Sequence, residues 1–160
     1  MTTEIRRARP EDASELVRLI RGLAEYEREP DAVRATPETL AAQMRSERPP
    51  FEALLAERDG RAIGFALFFQ SYSTWEGRAG IYLEDLFVEE AERGSGAGRA
   101  LLGAVARLAV ERGCGRLELA ALDWNTPATG FYVAHGARAM EEWTVYRFSG
   151  DALVRLARGD

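Results

Sequence analysis

The stretch Arg93-Gly94-Ser95-Gly96-Ala97-Gly98-Arg99 restricts this chain more than any other. It stands between an apolar run, residues 80 to 88, and a segment in which Leu101, Leu102, Val105, Leu108 and Ala109 recur at helical spacing. A strand that turns through alternate glycines into a helix leaves backbone N–H groups exposed at the helix start. Those amides and the positive end of the helix dipole favour an anion, phosphate above all. The spacing excludes two common phosphate loops. A dinucleotide fingerprint counted from Gly94 would need its last glycine at Arg99, and a P-loop would need Lys-Ser/Thr after Gly98.

The rest of the pattern surrounds this turn with a mixed architecture. Residues 5 to 8 read as a strand, and Pro10, Glu11 and Asp12 suit a first helical turn. Leu16, Leu19, Ile20 and Leu23 then line one helical face up to about Glu27. A second helix starts near Thr36-Pro37-Glu38 and carries Leu40 and Met44. Residues 51 to 57 and 62 to 72 are strands joined at Asp59-Gly60, a hairpin signal, and residues 80 to 88 are a third. The helix after the glycine-rich turn stops at Gly113, and residues 116 to 122 are another strand. Asn125-Thr126-Pro127 opens a short helix that ends before Gly136, and residues 143 to 148 form a closing strand. The order β-α-α-β-β-β-α-β-α-β predicts an α+β fold with antiparallel strands first and a crossover later. The 160 residues carry no repeat or long linker, so a single domain over residues 1–160 is expected.

Composition narrows the partners. A net charge of −5 argues against nucleic acid and suits a cationic ligand better. The longest apolar run, residues 62 to 69, is too short to span a bilayer, and residues 1 to 7 lack the apolar segment of a secretory signal. One cysteine, Cys114, precludes an internal disulfide and fits a reducing compartment, so a cytoplasmic location with no membrane partner is expected. His135 and Cys114 do not make a metal site, and no metal is expected.

Arg93-Gly94-x-Gly96-x-Gly98, following Leu86-Phe87-Val88, resembles the acetyl-CoA pyrophosphate loop of the GNAT N-acetyltransferases. Leu23-Ala24-Glu25-Tyr26-Glu27, Tyr72-Ser73-Thr74-Trp75, Tyr82-Leu83-Glu84-Asp85, Leu122-Asp123-Trp124-Asn125 and Phe131-Tyr132 before Gly136-Ala137 narrow the resemblance to the diamine and thialysine branch. The resemblance covers most of the chain. It implies the acyl-CoA N-acyltransferase fold, a mixed central sheet with helices on both faces, acetyl-CoA as cosubstrate, and a homodimer. It also implies roles. Backbone groups of Leu86, Phe87 and Val88 would pair with the pantetheine arm, and amides across Arg93, Gly94, Ser95, Gly96, Ala97, Gly98 and Arg99 would hold the pyrophosphate. Asn125 would lie on the cofactor side, and Tyr132 near the cofactor sulfur. Tyr26, Glu27, Ser73, Trp75, Glu84, Asp85 and Trp143 match acceptor-side positions. Polyamine-preferring members carry Asp where this chain has Ser73, which points away from long polyamines.

The chemistry asks for such groups. A lysine-like amine has a pKa near 10.4, so at pH 7 only about one molecule in 2,500 is neutral and nucleophilic. Freeing it costs about 4.6 kcal/mol, a task for a general base. Glu84 is the candidate base, directly or through a water, and Tyr132 is the candidate acid for the departing thiolate. Glu84 and Asp85 are consecutive in a strand, which predicts that only one of them faces a given cleft and leaves the role of Asp85 open. Three other readings fit the same residues: a spermidine/spermine acetyltransferase, a protein or peptide N-acetyltransferase, and a CoA-binding sensor without turnover.

Overall fold

The computed structural model describes residues 2–159, and the chain divides into two units, Met1–Ala120 and Ala121–Asp160. The first contains strands β1 (Glu4–Arg7), β2 (Glu52–Arg58), β3 (Arg61–Ser73), β4 (Arg78–Val88) and β5 (Leu117–Leu119), with helices α1 (Ala13–Tyr26), α2 (Pro37–Arg45) and α3 (Ala97–Glu111). The strands lie in chain order in one sheet, antiparallel throughout except for the parallel β4–β5 pair. That pair needs a crossover, and α3 supplies it.

Both faces of this sheet are covered, which explains why its strands are apolar on both sides. On β2, Ala53 and Leu55 join the core under α1 and α2, where Leu16, Val17, Leu19 and Leu40 are buried. Their neighbours Leu54 and Ala56 join the opposite core, filled from α3 by Ala97, Leu101, Val105 and Ala109. The expected mixed sheet with helices on both faces is thus present. Thr36 caps α2 through a side-chain bond from the Thr39 amide, so the start expected there forms as the sequence implies.

The strand expected over residues 116 to 122 is only three residues long. β5 pairs with Ile81, Leu83 and the residue between them, and its ladder stops where β4 becomes irregular. Among the described residues β5 pairs with β4 no further than Leu83, whereas β3 continues to pair as far as Val88.

The second unit holds α4 (Thr126–Ala134) and α5 (Gly150–Arg158). The closing strand expected over residues 143 to 148 is not formed, and this stretch is irregular chain. Its β-branched and aromatic side chains favour an extended form, a local preference that does not by itself make a strand. α5 lies beyond the expected elements. Asp151 in its first turn, Arg155 and Arg158 in its last, and Gly159 in the left-handed conformation after it form ordinary start and stop signals.

Candidate active site

The glycine-rich turn leads directly into α3. Gly94 and Gly96 have φ of 81° and 89°, a left-handed backbone that side chains disfavour. Gly96 is the N-cap of α3, and a glycine cap brings no side-chain oxygen to the first-turn amides. No acidic residue stands in that turn, and Arg99 does. The start of α3 contrasts with α2, where Thr36 occupies the same kind of position. Uncapped amides, an unopposed dipole and an arginine are the donor set a pyrophosphate requires, so these residues fit acetyl-CoA. The base of the turn is anchored on both sides. Arg18 and Arg61 donate to Glu89 at 2.9 and 2.6 Å, and Arg58 donates to Glu92 at 2.7 Å.

The acidic pair sits where β4 bulges. Leu67 opposes Asp85 and Phe68 opposes Leu83, which leaves Glu84 as an extra residue in the ladder. Ile81 and Leu83 pack into the core under α3, and so do Leu86 and Val88, although regular alternation would put the second pair on the other face. The bulge absorbs the change of phase, and it directs both Glu84 and Asp85 to the face that α1 covers. The expectation that only one of them faces a given cleft is corrected by this bulge.

The bulge also governs charge. Burial and the neighbouring Glu84 and Glu27 carboxylates push Asp85 up to about 7. Burial likewise raises Glu27, at the C-terminal end of α1. On the same face, burial and the Glu84 and Glu118 carboxylates raise the Tyr82 hydroxyl, whose ring leans on Phe69 at 5.3 Å between centroids. Neither Glu27, Glu84 nor Asp85 has an arginine partner among the described residues.

Tyr26 and Arg93 meet at the edge of this region. The Arg93 guanidinium lies 4.4 Å from the Tyr26 ring centroid and 5.7 Å from that of Phe87, and its Nε donates to the Val88 carbonyl at 3.1 Å. Nothing in the sequence pattern signalled this stack, nor the placement of Tyr82 and Glu118 beside Glu84. The bulge is likewise a matter of register with β3, which the run from Ile81 to Val88 does not report by itself. Ser73 uses its hydroxyl locally, accepting from the Glu76 amide at 3.1 Å, and Trp75 in the same turn is 85% exposed.

The second unit carries Asn125, Tyr132 and Trp143. Asn125 is buried and caps α4, its side-chain oxygen accepting from the Ala128 amide at 3.4 Å. Tyr132 is half-buried two turns along α4, edge-on to Phe131 at 5.4 Å. Trp143 is exposed in irregular chain, its amide donating to the Met140 carbonyl at 3.2 Å.

Comparison with known proteins places the chain in a family. The acetyltransferase (GNAT) family matches residues 15–137. A thialysine N-epsilon-acetyltransferase of Bos taurus is 41% identical over 164 residues, 96% of either chain. An L-ornithine N5-acetyltransferase of Arabidopsis thaliana is 40% identical over 121 residues, 74% of this chain and 53% of its own. Among solved structures, an integron cassette protein of V. cholerae superposes with a TM-score of 0.83 at 30% identity over 99% of both chains. The family match and these relatives show that the chain belongs to the acetyltransferase (GNAT) family.

Proposed function

We propose that this N-acetyltransferase moves an acetyl group from acetyl-CoA to the primary amine of a small cationic metabolite, a thialysine-like or lysine-like compound or a short diamine. The observation that carries the reading is the group Glu27, Glu84 and Asp85, whose carboxylates interact at the β4 bulge and have no ion pair among the described residues. The thialysine and ornithine enzymes among its relatives act on substrates of this class, as their names state.

Acetyl-CoA, when bound, supplies an acyl carbon activated as a thioester. The chain supplies position and protons. Amides from Arg93 to Arg99 receive the pyrophosphate, with Gly94, Ser95, Gly96, Ala97 and Gly98 between them, and backbone groups of Leu86, Phe87 and Val88 receive the pantetheine arm. Asn125 belongs to the cofactor side. Glu27 and Asp85 attract the ammonium form, with Tyr26, Ser73, Trp75 and Trp143 bordering it. Glu84 takes the proton that the ammonium must lose, and the neutral nitrogen becomes the nucleophile. Tyr132 gives a proton to the departing sulfur and is restored by the second proton that the nitrogen loses as its amide forms, so one proton is released per turnover.

Both units would form one acetyltransferase domain, which the family match across residues 15–137 supports. Exposed Trp143, Val145, Tyr146 and Phe148 support association into a homodimer. Among the described residues no helix is long and apolar enough to cross a membrane, and a cytoplasmic location is proposed with that in view.

The test is CoA release from acetyl-CoA by the purified protein over thialysine, lysine, ornithine, putrescine, spermidine and a short peptide. Turnover of one small amine that falls at least a hundredfold in Tyr132→Phe is the expected result. Spermidine or the peptide as the preferred acceptor would overturn the assignment, and acetyl-CoA binding without turnover of any acceptor would favour a sensor.

A further inference from the structure

We propose that Arg93 links the two halves of the site: an anion held at the start of α3 fixes the guanidinium, and the guanidinium fixes Tyr26 at the acceptor wall. The inference rests on the proposed function and adds to it a residue that couples cosubstrate to amine.

The geometry begins at Gly22. A Cβ there would stand 3.0 and 3.1 Å from atoms of the Phe87 ring, so α1 approaches β4 as closely as a bare backbone allows. Tyr26 follows one turn later on the same face of α1. Phe87 therefore sets the distance between the end of α1 and the last residues of β4. Arg93 completes the arrangement from the loop side. Its Nε is tied to the Val88 carbonyl at 3.1 Å, and its planar head lies against both the Tyr26 and Phe87 rings. The two terminal nitrogens of that head have no hydrogen bond to the protein among the described residues. They belong to the residue that opens the anion loop, whose uncapped amides begin three positions later at Gly96. On the other side, Tyr26 adjoins Glu27, one of the carboxylates that raise Asp85.

One exposed guanidinium thus contacts an acceptor-side ring while its free N–H groups stand at the phosphate loop. Stacking an arginine on a ring requires that its rotamers be restricted, and this opposes the contact. An anion that restricts the same side chain removes part of that opposition. Tyr26 is then better ordered with cosubstrate bound than without it, and the effect must be reciprocal. The size of an exposed cation–π contact sets the expected coupling at about threefold to fivefold.

The experiment is a calorimetric titration of thialysine into the full chain with and without saturating CoA, a pair that cannot react because no acetyl group is present. The wild-type protein is expected to bind thialysine about threefold to fivefold more tightly in the presence of CoA. Arg93→Met and Tyr26→Leu, each at its own saturating CoA concentration, are expected to bring that ratio to about one. The double variant should go no further, and Tyr26→Phe, which keeps the ring, should retain the coupling. A variant that is merely less stable lowers both affinities and leaves the ratio alone. Binding of both ligands by the wild type with a ratio near one, or a ratio preserved in Arg93→Met, overturns the inference while leaving the proposed function standing. Failure of the wild type to bind CoA or the amine at all overturns the proposed function, and the inference with it.

Discussion

Two populations of carboxylates occupy the first unit, and they are treated in opposite ways. Around the sheet margins, Arg6 bridges Asp12 at 2.8 Å and Glu57 at 2.5 Å, Glu89 lies between Arg18 and Arg61, and Glu52 is held by Arg7 and by Arg112. At the β4 bulge, Glu27, Glu84 and Asp85 have no such partner among the described residues. The Arg6 hydrogen bond holds Asp12 below the usual carboxylate range, whereas burial and two like charges lift Asp85 to about 7. All 21 basic residues are arginines, whose fork pairs readily with carboxylates. A chain this rich in arginine pairs none of it with these three acids among the described residues, and the proposed function makes them the seat of a cationic substrate. It also has no lysine side chain of its own to compete as an acceptor.

Neutralising one acid from each population separates their roles. Glu84→Gln is expected to lower kcat by about 10²- to 10⁴-fold at saturating acetyl-CoA and amine, the range for loss of a general base. Glu89→Gln should leave kcat within about twofold, because Glu89 anchors the loop from outside. Steady-state kinetics on the two variants checks both, and equal losses would break the comparison.

Asp85→Asn tests the cost of leaving an acid unpaired. A folded value near 7, above the ordinary 3.8, means that the folded state holds this proton more tightly than the unfolded chain. Stability from Asp85 is therefore full at low pH and declines as pH rises from about 4 through 7. The variant should melt above the wild type by on the order of 5 °C at pH 8, with the gap closing as pH falls toward 4. Its affinity for the amine should nevertheless drop by about tenfold, and the rise in cation binding through pH 7 should disappear. Thermal melts and titrations across pH report both.

Glu92→Gln probes a paired acid. Arg58 and Glu92 are only 15% and 24% exposed, and the loss of this partner leaves Arg58 with Thr3 alone. A cost of about 1–2 kcal/mol is expected in denaturant unfolding. The KM for acetyl-CoA should rise about threefold, with the amine KM unchanged, because the anchor serves the phosphate loop. The smallest effect belongs to Glu89. Burial opposes its charge, but hydrogen bonds from Arg61 and Arg18 outweigh that and hold it below its ordinary value. Its stabilisation is present above the unfolded value of about 4.5 and lost as pH falls through the folded one. Glu89→Gln should therefore lower Tm by about 1–2 °C at pH 7 and by nothing near pH 3.

The same contrast shows what the sequence makes legible. The loop from Arg93 to Arg99 could be read because φ above zero and an uncapped helix start are local properties written in glycines. The helices under Leu16 and Leu101 could be read because period is local too. Glu84 and Asp85 were legible as residues but not as a pair on one face, since the bulge is a property of register with β3. Residues 143 to 148 show the opposite failure: strong local strand preference where no strand forms within the second unit. The stack of Arg93 on Tyr26 joins positions far apart in the chain, and no periodicity reports such a contact.

The most direct measurement is equilibrium binding of the preferred amine to the triple variant Glu27→Gln/Glu84→Gln/Asp85→Asn beside the wild type, with CoA binding followed in parallel. If the unmatched carboxylates are the seat of the cation, amine affinity falls by about a hundredfold or more while CoA affinity stays within about threefold. An amine affinity equal to the wild type, in a triple variant that still binds CoA, would contradict the account.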